Sequence, residues 1–188
     1  MATACLAFHR ESTDDFRQDV INHIYSGNLY LALEEEIGIA AFRVIQSFPQ
    51  ESAIVLEGAA KHPLAQKYLI RLMTDKILAS FDPIYVLTRT QNDYVVDYMK
   101  ALCLRGVVPL DFPSNRGFLK LIKKTGLFHE DLDSQTLVIP GCYGGEPMIV
   151  NAPRPRSKTP QVRQFMDEIN YEQGDARVII GLRREEKL

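Results

Sequence analysis

Two carboxylates in this sequence have the surroundings that acid–base chemistry needs. Asp111 ends a short apolar stretch that begins at Val107, and Glu146 follows two glycines in the loop 140–147. A carboxylate that is partly buried beside a ligand has a raised pKa, which suits a general base or a nucleophile. We therefore predict that Glu146 and Asp111 are catalytic if the chain is an enzyme. The alternative is that the glycines form an ordinary turn and Glu146 lies in water.

Polar side chains that can hold an anion occur in three loops around these carboxylates. Guanidinium groups and the amides of a helix N-terminus bind phosphates and carboxylates. The predicted ligand-binding residues are Thr88, Arg89, Asn92, Asp93, Ser114, Asn115, Arg116, Tyr143, Gly144 and Gly145. The same residue types also suit helix caps and turns, so each loop has a purely structural interpretation as well.

Several common kinds of site have no signature in the sequence. The glycine-rich loop is neither G-x-G-x-x-G nor followed by G-K-[ST], so a Walker-type site is not predicted. The four histidines are scattered, and the three cysteines are widely spaced without a C-x-x-C pair. This pattern predicts neither a metal site nor a disulfide framework, and it suits a reducing compartment. Cys142 has no local signature of a nucleophile, and the sequence indicates no cofactor.

The elements that position these loops are clearest between residues 83 and 111. The run 84–87 is apolar throughout, as in a strand covered on both faces. Asn92 suits a helix N-cap, and Gly106 suits the residue after the helix. A second strand at 107–110 is then expected to run parallel to the first, joined to it by a right-handed crossover.

Further strands are predicted at 135–139 and 176–182. Parallel strands end at one edge of a sheet, and ligands bind beyond those ends. The loops after Leu87, Leu110 and Ile139 are therefore expected to lie along one edge.

The N-terminal part of the chain is predicted to be mainly helical. Ser12 or Thr13 suits the N-cap of a helix whose apolar residues recur at helical spacing as far as Gly27. Residues 29–48 and 51–61 are also assigned to helices, and Pro63 suits the first turn of another.

The predicted fold is α/β, with a mostly parallel, Rossmann-like sheet of about four or five strands and a helical N-terminal layer or cap. Residues 1–82 form the helical layer and residues 83–188 form the α/β core, within a single compact domain. The basic stretch that contains Arg154, Arg156 and Lys158 is interrupted by prolines, which predicts a mobile surface loop.

The order of elements from Ile84 to Leu182 resembles the core of nucleoside deoxyribosyltransferase-type proteins, over about half of the chain. The matching features are the run 84–87 with its polar turn, the helix that ends at Gly106, and the strand before the loop that carries Glu146. That family acts on N-glycosidic bonds, so the resemblance implies a Rossmann-like core and glycosidic chemistry. The family's acidic and glycine-serine motif has no recognisable counterpart here.

Composition limits the classes of protein to which the chain can belong. With 188 residues, of which 46% are hydrophobic and 24% charged, an ordered globular protein is expected. The net charge of -2 gives no argument for nucleic acid or membrane, and no apolar run approaches the length of a membrane span. We predict a soluble, cytoplasmic protein without a membrane partner, in which nucleic-acid binding is not favoured and self-association is left open.

The combined prediction is a protein that binds a small anionic or nucleotide-like ligand at the carboxyl ends of its strands. It would act as a hydrolase or transferase on a nucleotide or sugar phosphate. The alternative is a non-catalytic protein–protein interaction module that uses the N-terminal helices, with an apolar face inside residues 29–48.

Overall fold

The computed structural model describes residues 1–103, 105–112, 117–127, 129–150 and 152–183. The chain divides into two compact units, which we describe separately. The first unit contains Met1–Ser47, Ile54–Asp82 and Ile149–Ala152, and the second contains the remaining described residues. No helix within the described ranges combines the length and the apolar character that crossing a membrane requires.

The first unit combines three helices with three strands. Its elements are α1 (Ala2–Phe8), α2 (Asp14–Tyr25), β1 (Asn28–Glu34), β2 (Gly38–Phe48), β3 (Ala53–Lys61) and α3 (Leu69–Phe81). The last residue of β2, Phe48, and the first residue of β3, Ala53, are grouped with the second unit. The predicted α2 is confirmed. The Thr13 side chain accepts a hydrogen bond from the Phe16 amide at 3.2 Å and so caps the helix.

The helices predicted at 29–48 and 51–61 are wrong, because these residues form β1, β2 and β3. The strands pair as β1-β2-β3, with β1 antiparallel to β2. Two features of the sequence explain the result. In β1 the leucines alternate with other residues, and Gly38 adopts a φ of 73° after the turn that reverses the chain. In β2 and β3 the apolar residues are so dense because most of them are buried.

The second unit contains the strand–helix–strand segment that the sequence predicts. Its elements are β4 (Tyr85–Thr90), α4 (Asp93–Leu102), β5 (Val107–Val108), α5 (Leu119–Lys124), β6 (Val138–Ile139), α6 (Pro160–Met166) and β7 (Ala176–Leu182). Asn92 is the N-cap of α4, and its side chain accepts a hydrogen bond from the Tyr94 amide at 2.9 Å. The α/β class is therefore confirmed.

The mostly parallel, Rossmann-like sheet is wrong. In the second unit β7 lies between β4 and β5 and is antiparallel to both, and β6 also pairs with β7 in the antiparallel direction. The fold is mixed α/β, and the pairings of β1 with β2 and of β7 with β4, β5 and β6 are all antiparallel. The reason for the error is that a central antiparallel strand, buried on both faces, has the same uniformly apolar sequence as a parallel strand.

Close packing of β7 against α4 accounts for one glycine of the central strand. A Cβ on Gly181 would overlap the Cys103 Sγ and approach Met99 Cε to 3.1 Å. Burial raises the pKa of the Cys103 thiol to about 12, with a smaller opposing effect from Arg183. Cys103 is thus a protonated packing residue at neutral pH.

Candidate functional site

The ends of β4 and β6 lie at the same edge, as the sequence predicts. Thr90 of β4 and Val138 of β6 are both in register with Arg177 of β7, which is one residue from the start of that strand. The end of β5 is different, because Val108 is in register with Ile180, about 10 Å further along β7. The predicted loops after Leu87 and Ile139 therefore start from one edge of the sheet. The predicted loop after Leu110 does not start beside them.

Gln91 connects the first predicted loop to the third. It is 1% exposed, its amide nitrogen donates to the Tyr171 carbonyl at 3.3 Å, and its amide oxygen accepts from the Met148 amide at 2.7 Å. Burial raises the pKa of the Cys142 thiol, and the nearby charge of Arg89 only partly offsets that effect. Because the thiol stays protonated, Cys142 is poorly suited to be a nucleophile.

The glycines of the third loop are explained by turn geometry. Gly144 and Gly145 have φ values of 78° and 85°, and a Cβ on either residue would meet no atom within 4 Å. The Gly144 amide donates to the Gly141 carbonyl at 2.9 Å, which closes the turn. Tyr143 is half-buried and its amide donates to the Gly174 carbonyl at 3.0 Å, whereas the Glu146 side chain is exposed.

The N-terminus of α4 is occupied by the protein's own side chains. Asp93 is 0% exposed, and its carboxylate accepts from Arg154 Nη2 at 3.4 Å and from the Ser157 amide at 3.1 Å. The guanidinium of Arg156 lies 3.2 Å from the same carboxylate. Thr88 is 5% exposed within β4. The carboxylate of Asp93 and the hydroxyl of Thr88 are thus turned away from solvent.

Arg154 and Arg156 are held in place, so the mobile loop predicted for them is wrong. Arg154 also donates to the Met166 carbonyl at 2.6 Å, and its guanidinium lies 5.0 Å from the centre of the Tyr171 ring. Arg156 pairs with Asp167 at 2.8 Å, and this hydrogen bond holds the pKa of the Asp167 carboxyl below its usual value. We call Asp93, Arg154, Arg156 and Asp167 the Asp93 cluster.

Asp111 stabilises the turn after β5. Its carboxylate accepts from the Val107 amide at 2.8 Å and from the Lys100 ammonium at 3.2 Å, and its own amide donates to the Val107 carbonyl at 2.7 Å. These bonds give Asp111 a structural role. The other predicted residues of this loop, Ser114, Asn115 and Arg116, lie outside the described residues.

The structure shows one candidate anion site that sequence reasoning missed. Strand β3 ends at Lys61, a loop covers residues 62–68, and α3 begins at Leu69. Tyr68 is the N-cap of α3 and makes no capping hydrogen bond through its side chain. We call residues 62–71 the β3–α3 turn. The sequence pattern does not reveal it, because the pattern predicts a helix at 51–61 and a start of the next helix at Pro63, and both predictions are wrong.

The first turn of α3 has backbone amides that are not all used by the helix. The amides of Leu69 and Leu72 donate to the carbonyls of Gln66 and Tyr68, at 3.1 and 3.0 Å. The amides of Ile70 and Arg71 have no acceptor among the described residues. Unpaired amides at a helix N-terminus carry partial positive charge and bind anions.

Two lysine side chains stabilise this turn and add positive charge to it. The Lys61 ammonium donates to the carbonyls of His62 and Ala65, at 3.0 and 2.9 Å, and so fixes the loop. Lys67 lies over the Tyr68 ring with its ammonium 5.3 Å from the ring centre. The first turn of α3 contains no acidic residue. The local charge around the open amides is therefore positive.

In the described part of the chain, no group of three or more His, Cys, Asp and Glu side chains suits a metal ion. An open cavity of about 340 Å³ lies beside α6 and the start of β7, with Gln161, Gln164 and Glu168 in its wall. This cavity contains none of the predicted ligand-binding residues.

Comparison with solved structures finds distant similarity to N-acetyltransferases. The ribosomal-protein-S18-alanine N-acetyltransferase from Escherichia coli is 11% identical with a TM-score of 0.41, covering 92% of this chain and 80% of that chain. Naa20 of Chaetomium thermophilum, in complex with a bisubstrate analogue, is 12% identical with a TM-score of 0.42, covering 96% and 79%. A structure described as a putative phosphinothricin N-acetyltransferase is 11% identical with a TM-score of 0.40, covering 98% and 89%.

No protein-family model matches the sequence, and no curated protein matches it. At this level of identity and TM-score, the similarity to solved structures assigns no role to any residue of this chain.

Proposed function

We propose that this protein is a transferase whose donor is a nucleotide-like anion, bound through its phosphates at the β3–α3 turn. The observation that carries the proposal is the N-terminus of α3, where the amides of Ile70 and Arg71 lack an acceptor among the described residues. Phosphate oxygens accept hydrogen bonds from such amides, and the helix dipole favours their negative charge.

The other long helices of the structure provide a useful contrast. Helix α2 is capped by Thr13 and carries two aspartates in its first turn. Helix α4 is capped by Asn92 and carries the buried Asp93. The aspartates of α2 would repel an anion, and the N-terminus of α4 is already occupied by Asp93 with its two arginines, whereas the first turn of α3 has no acidic residue. Among these three helices, only α3 has an N-terminus suited to a phosphate.

Acetyl-CoA is the donor that we propose to test first. It is nucleotide-like, it carries a diphosphate, and acetyl transfer is the activity named for two of the three solved structures. An acyl donor makes the reaction a group transfer, so no observation favours the hydrolase that the sequence left open.

A capping substitution tests the site directly. Tyr68 is 60% exposed and occupies the N-cap of α3, so Tyr68→Asp places a carboxylate where it can accept from the open amides. We expect the variant to be as stable as the wild type, or more stable by about 1 kcal/mol. We expect its affinity for acetyl-CoA to fall at least about tenfold, because the new carboxylate competes with the phosphates. Isothermal titration calorimetry measures the affinity.

Leu64→Asp is the matched control, since Leu64 is 78% exposed in the same loop but precedes the helix N-terminus. It adds the same charge without capping α3, and we expect a smaller loss of affinity. Acetyl-CoA at about 100 times its dissociation constant should raise the wild-type melting temperature by about 5–10 °C. Tight binding by Tyr68→Asp, or no binding by the wild type, would contradict the proposal.

Within the second unit, we propose Glu146 as a catalytic carboxylate. Its side chain is exposed to solvent. We expect Glu146→Gln to reduce kcat about 100-fold or more while the melting temperature stays unchanged. Glu172→Gln, which removes another exposed carboxylate of the second unit, is the control. If Glu146→Gln retains full turnover, then Glu146 is not the catalytic carboxylate and Asp111 becomes the next residue to test.

The interaction module remains a second candidate function, because one observation favours it. Residues 29–48 form strands rather than the expected helices, yet they expose large apolar side chains. These side chains belong to the edge strand β1 and its neighbour β2. Exposed apolar groups that are contiguous commonly mark an interface.

A further inference from the structure

A row of leucines on β1 is exposed where a buried row would be expected. Leu29, Leu31 and Leu33 alternate along the strand and are 39%, 48% and 72% exposed. Alternate residues of a strand point to the same face, so the three leucines share one face of the sheet. Ile39 of β2, in register with Leu33, is 40% exposed and extends the row. This apolar strip lies in the first unit alone.

The strand that carries the strip has a free edge. In the strand order β1 is terminal, and none of the described residues pairs with its outer side. The irregularity in its pairing with β2 places the extra residue, Ala40, on β2, so β1 remains regular. Natural edge strands are commonly protected by lysine, proline or a bulge. The sequence of β1, Asn-Leu-Tyr-Leu-Ala-Leu-Glu, has none of these features.

We propose that two copies of this chain pair in antiparallel fashion through the outer edges of β1, around a two-fold axis at Leu31. Pairing of identical edges gives a closed dimer, since each copy offers the same surface to the other. Leu31 then faces the partner's Leu31, and Leu29 faces the partner's Leu33. Residues that lie opposite each other share a face, so the two leucine rows join into one apolar patch.

The charges at the ends of β1 fit this register. Glu34 lies opposite the partner's Asn28, and the following acidic residues extend beyond the paired segment. No two acidic side chains are therefore opposite each other, and like charges in that position would be destabilising. The register that matches leucine with leucine also separates the acidic groups. This agreement is the reason for choosing a second copy of the chain as the occupant of the edge.

Helix α2 packs on the same unit and contacts β1, so it borders the joined leucines. The apolar cluster beneath it contains Phe16 and Val20, with Phe42 of β2 packed against them. Because Leu31 is in register with Phe42, the leucine row lies on this face of the sheet. Dimerisation thus extends an existing apolar layer. It does not depend on the β3–α3 turn, so failure of either proposal leaves the other intact.

Charge substitutions at the two-fold axis test the dimer. Leu31 is exposed enough to accept a polar side chain without loss of the fold. We expect sedimentation equilibrium of the wild-type full-length chain to show a dimer. In Leu31→Lys and in Leu31→Glu, like charges face each other, and we expect each variant to dimerise about 100-fold more weakly. An equimolar mixture of the two variants should form a heterodimer, because opposite charges then meet.

Leu64→Lys adds a charge at another exposed leucine and should dimerise as the wild type does. Recovery of the heterodimer also shows that both Leu31 variants are folded. A wild type that is monomeric at every accessible concentration would overturn the proposal. So would Leu31→Lys and Leu31→Glu variants that dimerise with unchanged affinity, since the contact would then lie elsewhere.

Discussion

Asp93→Asn is expected to lower the free energy of unfolding by about 3–5 kcal/mol. The Asp93 carboxylate is fully buried and balances the charges of Arg154 and Arg156. Asparagine has nearly the same shape, so the change removes the charge without creating a cavity. The guanidinium groups of Arg154 and Arg156, which are 17% and 38% exposed, then lose a counter-charge. A urea titration should show a lower midpoint with an unchanged m-value, because the surface exposed on unfolding stays the same.

Asp97→Asn is the matched control, one turn further along α4. Asp97 is only half-buried, and we expect a change within about 0.5 kcal/mol. A double-mutant cycle with Arg154→Gln should show coupling between positions 93 and 154, because the two side chains are in contact. If Asp93→Asn were as stable as the wild type, the Asp93 cluster would not hold the loop 153–158 in place.

Gly174→Ala is expected to destabilise the protein by about 2–5 kcal/mol. Gly174 has a φ of 73°, a conformation that costs any residue with a Cβ. An added Cβ would also lie 2.5 Å from the Glu146 carbonyl oxygen and 3.0 Å from the Glu146 amide nitrogen. Because these are backbone atoms, no side-chain rotation relieves the overlap. The loop 140–147 must therefore move, and Glu146 moves with it.

Gly144→Ala separates the cost of the positive φ from the cost of the overlap with backbone atoms. Gly144 has a similar φ of 78°, but an added Cβ would meet nothing within 4 Å. We expect the free energy of unfolding of this variant to fall by about 1–2 kcal/mol, which is the cost of the positive φ alone. Chemical denaturation of both variants measures the difference, which reports the overlap at Gly174. Equal losses would mean that the loop around Glu146 yields without cost.

The sequence alone determined the features that depend on neighbouring residues. Caps at Thr13 and Asn92 were predictable because a side chain and an amide two or three residues away make the bond. The strand–helix–strand order from β4 to β5 was predictable for the same reason, since apolar runs, caps and glycines are local signals. That β4 and β6 end at one edge followed from these elements.

Other features depended on contacts that sequence spacing does not reveal. Residues 29–61 are apolar enough for buried helices or buried strands, and only pairing between β1, β2 and β3 selects the strands. The direction of β7 was equally hidden, because a strand buried on both faces reads the same in a parallel or an antiparallel sheet.

The candidate sites show the same division. Asp93 and Arg154 are 61 residues apart in sequence, and only folding turned a predicted ligand-binding carboxylate into the buried centre of an ion-pair cluster. The open amides of α3 were invisible because they depend on where that helix begins. Residue types and local order fix which groups a chain can offer. Which of those groups remain open to a ligand is decided by the partners that the tertiary structure brings to them.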